Sequence, residues 1–202
     1  MRFHRPPFFS GRLYPEAIFR IKTTERELCL TFDDGPDPGS TLNLIEILGR
    51  KGIPAIFFCN GMAAEKYPSL MEAIRLGGHL IGNHGYKHLN GWITERKRYR
   101  QNVTIAAPFT SSKLFRPPHG RLKSGQYLDL RSDYKIMFWD VMPYDFDDHS
   151  GGQDSLLILK KMIRPGSVIA LHDTISSPVH IILEEFIDYS AEKGFRFILP
   201  QL

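Results

Sequence analysis

Leu28-Cys29-Leu30-Thr31-Phe32-Asp33-Asp34-Gly35-Pro36 (LCLTFDDGP, residues 28–36) decides how this chain is read. A short apolar and β-branched run bounded by turn residues predicts a buried strand over Leu28–Phe32. Asp-Gly and Gly-Pro then turn the chain. A turn accounts for Asp34-Gly35-Pro36 but not for a doubled acid beside an apolar strand. Adjacent carboxylates repel unless a cation or a shared proton relieves them, and a metal would do so.

The same pattern repeats outward from that segment. Further strands are predicted at Ala55–Cys59, His79–Asn83, Leu114–Arg116, Tyr134–Trp139, Ser167–Leu171 and Phe195–Leu199. Helical spacing predicts helices over Ser40–Arg50, Pro68–Leu76, Thr94–Ala107, Asp154–Ile163 and Val179–Lys193. Pro68 suits a first turn, Thr94 an N-cap, and Gly77-Gly78 and Gly194 helix ends. Apolar strands separated by single helices predict a parallel sheet covered by helices. With about seven strands in 202 residues, the α/β fold expected is a distorted or incomplete (β/α) barrel. The chain is short of the roughly 250 residues of a regular one. An open doubly wound sheet is the alternative, but its GxGxxG turn is absent. The domain division expected is an N-terminal arm over 1–26 and one domain over 27–202.

Composition narrows the classes. Hydrophobic residues make up 42% and charged residues 24%, which excludes a disordered or collagen-like chain. No apolar run reaches the roughly 18 residues of a membrane span. The net charge of +4 comes without a basic stripe interleaved with aromatics, so no nucleic-acid partner is expected. Two cysteines, Cys29 and Cys59, are too few for a disulfide framework and read as buried thiols. Residues 1–26 hold no signal-peptide pattern, which fits a cytoplasmic protein or a trimmed secreted or cell-envelope one. Membrane contact is not expected, Arg2–Phe9 being the one stretch that could touch such a surface.

Chemistry-bearing residues follow the strands, where parallel α/β folds place their sites. After the third strand comes Asn83-His84-Gly85-Tyr86-Lys87-His88. Histidines four apart share one face of a helical turn, so one cation could reach both. Surface pairs at this spacing are common, but two His with an Asp from another strand end make a metal set with positions left open. Arg116-Pro117-Pro118-His119-Gly120 reads either as a rigid loop or as a stiff segment presenting backbone N–H groups, with Arg116 partnering a carboxylate. The loop through Tyr144-Asp145-Phe146 and Asp147-Asp148-His149 is acidic, and one acid there could orient a catalytic histidine. Leu171-His172-Asp173 ends an apolar strand, so His172 is either a core histidine or an acid/base. His4, His79, His149 and His180 receive no role.

Taken in order, TFDDGP (31–36), HGYKH (84–88), RPPHG (116–120), the Asp145-Phe146 loop and LHD (171–173) resemble the polysaccharide deacetylase family, the NodB-homology domain of carbohydrate esterase family 4. The resemblance spans about residues 27–200, and TFDDGP is its most specific part. It implies a NodB-like distorted barrel and a metal-dependent deacetylase acting on an acetylated glycan, most simply the N-acetyl group of a GlcNAc-containing one. By match, Asp33 resembles the catalytic base, and Asp34, His84 and His88 the ligands of a divalent metal, zinc in most of the family. Arg116 resembles the partner of the base, the His119 N–H an oxyanion donor, and Asp145 the residue that tunes His172, the acid. Pro118, Tyr144, Phe146 and Leu171 match substrate-binding positions. Trp92 and Tyr86 join Tyr144 and Phe146 as aromatics that could stack on sugar rings. The chain departs from the family's usual pattern at Gly85 (Ser or Thr), His119 (Tyr), Phe146 (Trp) and Ala170 (Leu).

Three rivals are weighed. A non-catalytic glycan-binding descendant would lose Asp33, Asp34, His84, His88 or His172, and all are present. A same-fold amidase acting on a small amide would show a closed pocket instead of exposed aromatics. An interaction protein using the basic face of Thr94–Ala107 has only charge in its favour.

Overall fold

The computed structural model describes residues 4–7, 9–146 and 151–201. The elements run α1 (Ser10–Leu13), β1 (Glu27–Asp33), α2 (Thr41–Lys51), β2 (Ile56–Cys59), α3 (Gly61–Lys66), α4 (Pro68–Leu76), β3 (Leu80–Asn83), α5 (Arg96–Thr110), β4 (Leu114–Phe115), a 3₁₀ turn (Pro118–Gly120), α6 (Ser124–Leu130), β5 (Lys135–Ile136), α7 (Gly152–Met162), β6 (Val168–His172), α8 (Val179–Glu192) and β7 (Arg196–Phe197). All strand pairs are parallel, in the order β5-β4-β3-β2-β1-β6, with β7 beside the start of β1. The sheet curls into a half-barrel. Isolated bridges Ile18↔Met137, Arg20↔Ser167 and Val141↔Ile169 span the remaining gap.

Alternation along the strands sorts the core into layers. Cys29, Ile56, Phe58, Leu114, Met137 and Val168 pack inside the curl. Leu28, Leu30, Phe32, Ile169 and Leu171 pack outward with Leu44, Leu48, Leu183 and Phe186 of α2 and α8. Each such side chain contributes about 1.5–3 kcal/mol by leaving water. Both cysteines are buried free thiols. Among the described residues no helix is long and apolar enough to cross a membrane.

The structure corrects several boundaries. Strand pairing after α6 stops at Ile136, because Met137 and Val141 turn instead to Ile18 and Ile169. Helix α5 is capped by Glu95, not Thr94. The Glu95 carboxylate accepts from the Lys97 and Arg98 N–H groups, while the Thr94 hydroxyl donates to Asn90 O. The short helices α1, α3 and α6 carry too few turns for periodicity to announce them.

His4 and Arg5 pack along the barrel. His4 O accepts from Met142 N–H at 3.0 Å, and Arg5 donates to Asp140 at 2.5 Å and to Met162 O. Asp140 also receives Arg164 and Ser167. Arg2, Asp147, Asp148 and His149 lie outside the described residues.

Candidate active site

Parallel register gathers the site at the strand C-termini. Asp33 ends β1 and His172 ends β6, and the two are cross-strand partners. Arg116, just past β4, reaches back under the rim and is fully buried. It donates to Asp33 Oδ1 at 2.7 Å, Thr31 Oγ1 at 2.6 Å, Met137 O at 3.2 Å and Phe138 O at 2.8 Å. Its guanidinium also lies over the Phe58 ring at 4.1 Å. Burial pushes the Asp33 carboxyl up, but the Arg116 guanidinium, together with the His84 and His172 imidazoles, outweighs it and holds Asp33 below the usual carboxylate range.

Beside this pair stand Asp34, His84 and His88, whose candidate ligand atoms all lie within 4.8 Å of one another. Asp34 adopts φ +75°, a left-handed conformation that swings its side chain away from that of Asp33. His84 Nδ1 is 2.9 Å from Arg116 O, an acceptor, so Nδ1 carries the hydrogen and Nε2 a lone pair. Burial depresses His84 to about 4, so the ring is neutral. Its Nε2 nevertheless faces Asp34 Oδ1 at 3.5 Å, and His88 Nε2 approaches the same oxygen at 3.2 Å. Asp34 Oδ1 is buried without a hydrogen-bond partner. Lone pairs converging on an orphaned carboxylate oxygen are what a divalent cation would satisfy, and an imidazole–imidazole–carboxylate set suits zinc. The residues therefore fit the metal.

The histidines do not share a helical turn, as their spacing suggested. Residues 84–88 form a loop, with Gly85 at φ +79°. Asn83 Oδ1 accepts from Gly85 N–H at 2.7 Å, and Asn102 on α5 bonds both Lys87 N–H and Lys87 O at 2.8 Å. A Cβ at position 85 would come within 2.7 Å of Asn102 Nδ2, so this Asn and a glycine go together. Neither Asn83 nor Asn102 had announced a role. Asn83 had the signal of preceding His84 at a strand end, whereas Asn102 had none.

The opposite wall is an aspartate–histidine pair. Asp145 accepts from the His172 N–H at 2.8 Å, from Nδ1 at 3.0 Å and from Ser177 Oγ at 2.8 Å. Nε2 is left to face the rim. Burial works to lower His172, but Asp145, with Asp33 and Asp34 behind it, raises it to about 9. Phe146 lies edge-on to His172 at 4.5 Å and is 45% exposed. Tyr144, at φ +64°, links Phe146 to His4.

His119 closes the third side. Its ring lies 4.2 Å from that of His88, and its backbone is left-handed at φ +59°. The turn's hydrogen bonds run from Gly120 and Arg121 N–H to Pro117 and Pro118 O, leaving the His119 N–H outside them. Trp92 is 59% exposed, with Arg121 over its ring at 5.0 Å. Leu171 corrects the expectation of a substrate contact. It is fully buried against α8, because His172 takes the inward side of the strand. Pro118 is likewise buried and shapes the turn from beneath.

A curled parallel sheet with its ionisable residues gathered on one rim defines an α/β barrel whose site lies at the strand C-termini. The family model for polysaccharide deacetylase matches residues 20–137, and the chain belongs to that family, the NodB-homology proteins of carbohydrate esterase family 4. It is 31% identical to a peptidoglycan-N-acetylglucosamine deacetylase of Bacillus cereus, over 97% of this chain and 74% of that protein. It is also 31% identical to a chitooligosaccharide deacetylase of Azorhizobium caulinodans, over 76% of this chain and 77% of that one. A solved peptidoglycan N-acetylglucosamine deacetylase, in complex with 4-naphthalen-1-yl-N-oxidanyl-benzamide, superposes with a TM-score of 0.87 at 28% identity, covering 96% of this chain and 94% of that one.

Proposed function

We propose that this protein hydrolyses the N-acetyl group of a GlcNAc-containing glycan, using a divalent metal, zinc, held by Asp34, His84 and His88. The observation that carries the reading is the orphaned Asp34 Oδ1 faced by two imidazole nitrogens. The substrate class rests on the relatives' activities and on Trp92 and Phe146, exposed on the active-face loops.

A bound divalent cation supplies Lewis-acid polarisation and a water acidified towards a pKa of about 7. Asp33, ionised and fixed by Arg116, takes the proton from the attacking water. The His119 N–H donates to the oxyanion that develops on the acetyl oxygen, a contribution of roughly 2.7–4 kcal/mol at comparable sites. His172, charged through Asp145, donates its Nε2 proton to the departing nitrogen. Water and amide thus become acetate and a free amine.

The metal assignment carries two expected results. His84→Ala abolishes both metal retention and acetate release. Acetate release by the unaltered protein falls with chelator and returns with added zinc. Chelator-insensitive turnover would overturn the metal assignment. The pH profile should fall on its alkaline side as pH rises through about 9, where His172 loses its proton. The same group adds stability that is complete below its unfolded pKa of about 6.5 and is lost as pH rises through about 9. Rate and urea stability measured against pH check both, and Asp145→Asn should move the alkaline limb to lower pH.

A further inference from the structure

Asp34 holds its carboxylate beside His84 and His88 from φ +75°, a left-handed conformation that persists where the surroundings fix it. What fixes it comes from the neighbouring strand. Asp173, one residue past β6, is fully buried and grips the turn after β1 at three points. Its N–H donates to Asp33 O at 2.8 Å. Its carboxylate packs against Gly35, where a Cβ would collide with Oδ2. The same oxygen accepts from Thr41 Oγ1 at 2.6 Å, and that hydroxyl accepts in turn from the Asp37 N–H at 2.8 Å. Both chain neighbours of Asp34 thus rest on Asp173, and the far side of the turn is tied to it through one hydroxyl.

A carboxyl group is a costly occupant for this place. Burial raises Asp173 to about 7, and the Thr41 hydroxyl offsets that only in part. An apolar side chain would be easier to bury. It could not accept from Thr41, however, and the tie to Asp37 would slacken. A local choice that works against stability while it braces the turn of a metal-site residue marks a functional constraint. The position of Gly35 fits this account, since only a residue without a side chain lets the carboxylate lie against the turn.

We propose that Asp173 is a positioning residue for the metal site: it fixes the turn that aims Asp34 at His84 and His88, and supplies no ligand atom itself. The inference rests on the metal assignment above. Its test is read without turnover. Zinc affinity is measured by competition with a chromophoric chelator, and cobalt(II) in place of zinc reports ligand geometry by visible absorption. Both are read where circular dichroism shows the variant folded. Asp173→Ala should weaken zinc by about 10–100-fold, the range found when the supports of metal ligands are removed, and should alter the cobalt spectrum. Asp173→Asn keeps the shape and an oxygen for Thr41, so it should hold zinc nearly as the unaltered protein does. If Asp173→Ala does not fold, Thr41→Val decides. It cuts the tie to Asp37, leaves the metal-site side chains in place, and should again weaken zinc. Unchanged affinity and an unchanged cobalt spectrum in the deciding variant overturn the role, as does an Asp173→Asn protein as weak as Asp173→Ala. An unaltered protein that binds no zinc overturns the metal assignment itself, and this role with it. Acetate release plays no part in the test, so a wrong substrate assignment leaves it in force.

Discussion

Asp33→Asn lowers acetate release by about 10²–10⁴-fold, the range that a positioned general base supplies, while metal stoichiometry stays at that of the unaltered protein. The amide is nearly isosteric with the carboxylate, and its oxygen can still accept from Arg116, now 2.7 Å from Asp33 Oδ1. What disappears is the proton acceptor. The proposed metal set is untouched, since its candidate ligand atoms belong to Asp34, His84 and His88. Arg116 keeps three neutral oxygens, on Thr31, Met137 and Phe138, so it is not stranded, although it loses its counter-charge. The experiment compares turnover on an acetylated chitooligosaccharide with bound zinc measured by mass spectrometry. An Asp33→Asn protein that holds zinc and keeps full turnover would remove Asp33 from the chemistry.

Arg116→Met has the second large effect, and it falls on stability as well as rate. The unaltered side chain is fully buried and makes hydrogen bonds in four directions. Methionine fills much of the volume but leaves Asp33, 5% exposed at its side chain, as a buried charge without a partner. Breaking such a pair on one side costs about 3–5 kcal/mol, seen as a lower urea midpoint. Arg116→Lys rescues little, because an ammonium cannot span the same fork of acceptors. A pH signature separates this positioning role from simple unfolding. With the guanidinium gone, burial prevails and the Asp33 carboxyl rises, so the residual activity loses its acid side at higher pH than before. Unchanged stability together with an unchanged acid limb would show that Arg116 does not hold Asp33.

Local patterns carried much of the architecture. Pro68–Leu76 is a helix over the very residues its spacing marks, and Leu28–Phe32 lies inside β1. Both are signals confined to a few neighbouring residues. Where a competing partner came from elsewhere, local reading failed. Thr94 looks like a cap, but Asn90 O takes its hydroxyl and Glu95 caps instead. His84 and His88 sit at helical spacing, yet a loop held by Asn102, from the next helix, brings them together. Leu171 matched a motif position, yet its place in β6 turns it to the core.

Residue order thus carries the strand-and-helix rhythm, the family and the kinds of side chain available at each strand end, because these depend on short-range periodicity and side-chain chemistry. Which of those side chains meet is settled by parallel register and the curl of the sheet. Register sets Asp33 across from His172, and the curl brings Arg116 from beyond β4 to Asp33. Contacts of that range have no signature in any single stretch of chain, since each depends on the placement of all the strands between.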